Sequence, residues 1–94
     1  MANELCAYGF GKGWDGNYFP VITNFETRDV WMNENGNYWL YRDAWYWYIS
    51  ISPSFYGDGY RLARKEFSVI DPSPAGSYNG LDGKPNGNVK SGLC

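Results

Sequence analysis

The sequence predicts an all-β fold: a small antiparallel sheet domain, built as a meander, a sandwich or a partly open barrel, with Gly-rich loops and a disulfide joining the chain ends. Three observations predict it. Aromatic residues make up 20% of the 94-residue chain and fall in short runs, as strands favour them. Twelve glycines and five prolines punctuate those runs, which marks turns rather than long helices. The only cysteines, Cys6 and Cys94, lie close to opposite termini, and the termini of a small domain often end near one another.

A chain this short supports one core worth only a few kcal/mol, so a covalent staple is useful. A Cys6–Cys94 bond would close nearly the whole chain, which loop entropy values at roughly 4–5 kcal/mol. It would also indicate an oxidising compartment, hence an extracellular or cell-surface location. The other readings of the pair are unpaired thiols, or cysteines that each bond a neighbouring module. Residues 1–4 show no basic region leading into an apolar core, so no secretory signal is visible in this chain.

The central element is residues 35–52, NGNYWLYRDAWYWYISIS, with three Trp and four Tyr. Asn35-Gly36 is a strong hairpin signal, because both residues tolerate the positive φ of a type I′ turn. Residues 38–42 and 45–51 read as strands. A two-residue Asp43-Ala44 turn between them would oppose Arg42 to Trp45, Leu40 to Trp47 and Tyr38 to Ile49. Opposed residues share a face, so Tyr38, Leu40, Trp47 and Ile49 form one side and Trp39, Tyr41, Tyr46 and Tyr48 the other. The first is core. The second is either another buried layer or an exposed aromatic platform.

Residues 5–16 interleave Tyr8, Phe10 and Trp14 with glycine; the spacing around Lys12 does not match a phosphate-binding loop. Residues 18–25 read as a largely covered strand with Pro20 at an edge or near its start, and 26–29 as a loop. Residues 30–32 form a strand that pairs across Asn35-Gly36, Trp31 with Leu40 and Met32 with Trp39. Residues 52–59 are a loop in which Pro53 ends the strand and Asp58-Gly59 turns. Residues 60–70 read as strand throughout. From residue 71 to 94 the composition shifts to Pro, Gly, Ser and Asn, predicting an irregular strap or tail anchored by Tyr78 and Val89.

The chain contains no histidine, which excludes Ser-His-Asp and Cys-His nucleophile systems and argues against a zinc, copper or haem site. No pair of acids among Asp43, Asp58, Glu66 and Asp71 is marked as a glycosidase dyad. The calcium-loop spacing is also missing around Asp15, Asp58 and Asp82. A net charge of −2 gives no electrostatic basis for nucleic-acid binding, and no apolar run approaches the length of a membrane span. The reading is a non-catalytic extracellular binding module with no cofactor and no metal.

Its expected ligand is a carbohydrate, because sugar C–H faces stack on Trp and Tyr while the hydroxyls need fixed polar partners. The expected site is Trp39, Tyr41, Arg42, Asp43, Tyr46 and Tyr48. The competing class is a structural, self-assembling or adhesive module that docks another extracellular protein or a copy of itself through the same rings, with edge-strand pairing as reinforcement.

Across most of its length, through CAYGFG, NGNYWLY, WYWYIS and PAGSYNG, the chain resembles an uncharacterised module of secreted or surface proteins of protists and invertebrates. That module is built on G-x-G, NG-x-Y, Y-x-L-Y and W-x-I-S elements. The resemblance implies an extracellular binding or structural role and no catalytic residues.

Overall fold

The structure, a computed structural model, describes residues 3–21, 29–51 and 61–94. Its eight strands are β1 (Leu5–Tyr8), β2 (Gly16–Val21), β3 (Val30–Asn33), β4 (Trp39–Arg42), β5 (Tyr46–Ser50), β6 (Arg61–Glu66), β7 (Gly76–Gly80) and β8 (Gly87–Ser91), with no helix among the described residues. Each strand pairs antiparallel with the next and β8 returns to β1, so the sheet closes into a barrel. The all-β antiparallel expectation holds, and the barrel is fully closed. Cys6 and Cys94 are bonded, with Cα atoms 5.0 Å apart.

An eight-stranded barrel has an interior that side chains can fill, and here bulk and space are divided between its two sides. Tyr18, Trp31, Leu40, Trp47 and Ile49 come inward from β2 to β5. Opposite them, Ala7 and Ala63 are small, and the register places Gly80, Gly87 and Gly76 on the inner face beside Ala63, Tyr78 and Val89. A Cβ at Gly87 would overlap the Phe10 ring, so glycine there admits an aromatic from the β1–β2 loop.

That division corrects the reading of residues 71–94. They are no irregular strap, because β7 and β8 complete the barrel, with Tyr78 and Val89 in the core. Their Gly-Ser-Tyr-Asn-Gly and Gly-Asn-Val-Lys-Ser sequences have poor strand propensity; burial against rings from across the barrel outweighs it. The strand expected over 60–70 also ends early, at Glu66. The Lys65 amine donates to the carbonyls of Ser73 (2.7 Å) and Ala75 (2.5 Å), which ties the β6–β7 loop back on itself. In β2 only Tyr18 is buried, whereas Phe19 and Pro20 are exposed, so this strand is not largely covered. Pro20 lies beyond Tyr18, the last residue that β1 pairs. The expected loop over 52–59, residues 22–25 of the second strand and residues 26–28 lie outside the described residues.

Both central turns differ from expectation while the faces they set are kept. Between β3 and β4, Gly36 has φ +79° and Asn35 stays out of the positive-φ region, so the type I′ turn is not formed. The Gly36 amide donates to Asn33 O (2.8 Å), yet Trp31 still opposes Leu40, and Met32 opposes Trp39. Between β4 and β5, Arg42 opposes Trp47 and Leu40 opposes Ile49. The register has therefore slipped by two residues from the Asp43-Ala44 turn. Because side chains alternate with period two, that slip leaves Leu40, Trp47 and Ile49 inside and Trp39, Tyr41, Tyr46 and Tyr48 outside.

Candidate functional site

Asp43 explains the slip. Its Oδ1 accepts from the amides of Trp45 and Tyr46, both at 2.8 Å, and its own amide donates to Tyr46 O at 3.0 Å. This Asx-type turn stabilises residues 43–46 as a longer loop and leaves Trp45 70% exposed at its tip. The Oδ2 atom accepts from the Tyr48 hydroxyl at 2.9 Å and lies 3.9 Å from the Arg61 guanidinium. Asp43 is thus an organiser of the β4–β5 end.

Five of the six expected site residues share the outer face or its rim. Tyr41 and Tyr48 are only 1% and 4% exposed and form a cluster with Val30, against which Trp39 and Tyr46 pack. Tyr48 meets Tyr41 at 6.0 Å and Tyr46 at 5.9 Å between ring centroids. Guanidinium groups lie over two of these rings, Arg61 at 3.9 Å above Tyr48 and Arg64 at 4.2 Å above Tyr46. The exposed-platform alternative is therefore corrected for the tyrosines: the rings of Tyr41, Tyr46 and Tyr48 are engaged by one another and, for Tyr46 and Tyr48, by cation–π contacts, while Trp39 is half-buried against them.

Arg42 is separated from that group by the pleat. Its guanidinium lies 4.0 Å from the Phe67 centroid and 5.9 Å from that of Trp47, and Nη1 donates to Asp43 O at 3.2 Å. There it borders a cavity of about 330 Å³ at one mouth of the barrel, with Trp31, Trp47 and Phe67 as its aromatic wall and Asp29, Pro72 and Pro74 completing the lining. Trp31 meets Trp47 edge-on at 5.8 Å. Its Nε1 donates to Asn3 O, whereas Nε1 of Trp47 is buried with no acceptor among the described residues. Sequence reasoning assigned Trp47 to the core and overlooked Trp31, Phe67 and Asp29. The signal for them is positional: they lie at the ends of strands and loops that meet at one barrel mouth, which is visible only once β6 to β8 are placed.

The electrostatics of the outer cluster follow from burial and from its internal partners. Burial opposes ionisation of Asp43, but the amides of Trp45 and Tyr46, the Tyr48 hydroxyl and Arg61 together hold its carboxyl below the ordinary value. Burial, reinforced by the Asp43 carboxylate, pushes the Tyr48 hydroxyl up to about 12. Burial likewise raises Tyr18, and it raises Tyr78 well above the usual phenol range.

The signs give opposite pH limits. The depressed Asp43 contributes stability above the ordinary carboxylate pKa, and this is lost as pH falls through its folded value. The raised tyrosines contribute below the ordinary value of 10.0 and lose it as pH rises beyond. Tyrosinate absorbance followed with circular dichroism should show Tyr18, Tyr48 and Tyr78 ionising later than exposed tyrosines, with Tyr48 moving down in Asp43→Asn. A single ionisation step near 10 in a folded protein would contradict these environments.

Among the described residues no group of three or more His, Cys, Asp or Glu could hold a metal, and no helix is long and apolar enough to cross a membrane. No protein-family model, curated protein or solved structure matches the chain.

Proposed function

We propose that this protein is a non-catalytic recognition module that binds a carbohydrate at the barrel mouth bordered by Arg42, Trp47 and Phe67. The observation that carries the reading is the buried, unpaired indole N–H of Trp47 in the wall of a cavity of about 330 Å³. A buried donor without an acceptor costs about 1–3 kcal/mol, and a sugar hydroxyl supplies an acceptor. The same mouth offers indole surface from Trp31 and Trp47, a guanidinium and the Asp29 carboxylate, the mixture of apolar wall and few polar groups that small-ligand sites use. The disulfide is compatible with an extracellular setting.

A glycan-array screen of the oxidised protein tests this. Selective binding should weaken about tenfold in Trp47→Phe, which keeps a ring and removes the donor, and it should persist in Trp39→Ala. Absence of glycan binding by the wild type, or loss only in the Trp39 variant, would overturn the placement at this mouth.

A second reading, docking of another protein or a second copy, is favoured by one feature. Trp45, Val69 and Ile70 are 70%, 87% and 92% exposed in the loops after β4 and β6, which lie at the same end of the barrel. The expected reinforcement by strand edges finds no support, because the closed barrel leaves no unpaired edge strand among the described residues. A size that rises with concentration, in a protein that binds no glycan, would favour this reading.

A further inference from the structure

The opposite mouth of the barrel carries a separate feature. The β1–β2 loop is held in a fixed shape by Asp15, whose carboxylate accepts from the amides of Phe10 (3.1 Å) and Gly11 (2.8 Å). Phe10 packs on Trp14 at 5.2 Å and seats on Gly87. This fixes Lys12, Gly13 and Trp14 at the wall of a cavity of about 360 Å³. Across it, the turn before β8 supplies Lys84 and Pro85, while Tyr38, Leu62 and Ile51 complete an otherwise apolar lining.

Three features of this lining point to a ligand rather than to packing. Trp14 is buried, and its Nε1 has no acceptor among the described residues. The Tyr38 hydroxyl and the ammonium groups of Lys12 and Lys84 likewise have no hydrogen-bond or ion-pair partner among the described residues. The lining contains no carboxylate. Of the acids nearest in sequence, Asp15 is engaged by the loop amides, Glu34 by the Asn17 side chain at 3.4 Å, and Asp82 lines a different cavity beside Arg61 and Arg64.

From this geometry we infer that the second mouth binds a small amphipathic organic anion, with its apolar body against Trp14, Leu62 and Pro85 and its carboxylate read by Lys12 and Lys84. Cationic groups at the rim of an apolar cavity fit that class, because the apolar body loses its hydration while the charged end stays near solvent. This site is independent of the carbohydrate reading, since it uses the opposite end of the barrel and none of the same residues.

Decanoate is the probe, with 1-decanol as its uncharged counterpart, followed by backbone amide NMR shifts on the oxidised protein. Saturable shifts are expected at residues 11–14, 38, 62 and 84–85, with 1-decanol binding more weakly. Lys12→Gln and Lys84→Gln should each weaken decanoate about two- to fivefold, as expected for solvent-accessible ion pairs. Both lysines make their turn contacts through the backbone, Lys12 by its carbonyl and Lys84 by its amide, so these variants retain the loops. Shifts confined to the other mouth, equal binding of 1-decanol, or unchanged affinity in both variants would overturn the proposal.

Discussion

Replacing Cys6 and Cys94 together by alanine is expected to lower stability by about 4 kcal/mol and the melting temperature by roughly 15–30 °C. The cross-link spans 88 residues, so its removal frees almost the entire unfolded chain. It also sits at the barrel seam. β1 meets β8 through pairs running from Leu5 with Ser91 to Tyr8 with Asn88, contacts between the two ends of the chain. Beyond the strands the Gly92 amide donates to Glu4 O at 2.9 Å, and the Cys94 amide donates to Asn17 Oδ1 at 2.7 Å. Thermal unfolding by circular dichroism of the double variant beside the oxidised wild type measures the loss. A shift of only a few degrees would mean that the β1–β8 ladder holds the seam unaided and that chain entropy contributes little.

The second large effect is at Tyr78. Tyr78→Ala should cost about 3–5 kcal/mol, the range for removing a buried aromatic ring, and Tyr78→Phe about 1 kcal/mol for the hydroxyl alone. The ring lies in the core and the hydroxyl donates to Pro74 O at 2.6 Å. Its backbone pairs with Gly87 in β8. Truncation therefore opens a cavity where the last two strands meet the remainder of the barrel. Urea unfolding of both variants separates ring from hydroxyl. A cost under about 1 kcal/mol for Tyr78→Ala would show that β7 and β8 are not part of the cooperative unit, returning residues 71–94 to the status of a strap.

These two experiments touch opposite extremes of what could be read before the structure. The disulfide was legible because two cysteines allow one intramolecular pairing and the ends of a small domain meet. The strands β7 and β8 were not, because Tyr78 and Val89 are flanked on the inner face by Gly76, Gly80 and Gly87, which no propensity scale recommends for a strand. At Gly87 glycine is required because the Phe10 ring occupies the space a Cβ would fill, a contact between residues far apart in sequence. The site followed the same division. Trp39, Tyr41, Asp43, Tyr46 and Tyr48 do gather on one outer face or its rim, but mutual ring packing and the two arginines close that face. Arg42, set apart from them by alternation, stands at a mouth whose other residues come from three further segments.

By itself the sequence determined the strand class, the disulfide and the partition of the central aromatic residues between two faces. That partition rests on a period of two, so it survived errors in both turns. Tertiary structure alone decided the closure of the barrel and the exposure of each ring. Those depend on Arg61 and Arg64 covering Tyr48 and Tyr46, and on bulky residues of one wall meeting glycines of the other. Such contacts exist only after distant strands have come together.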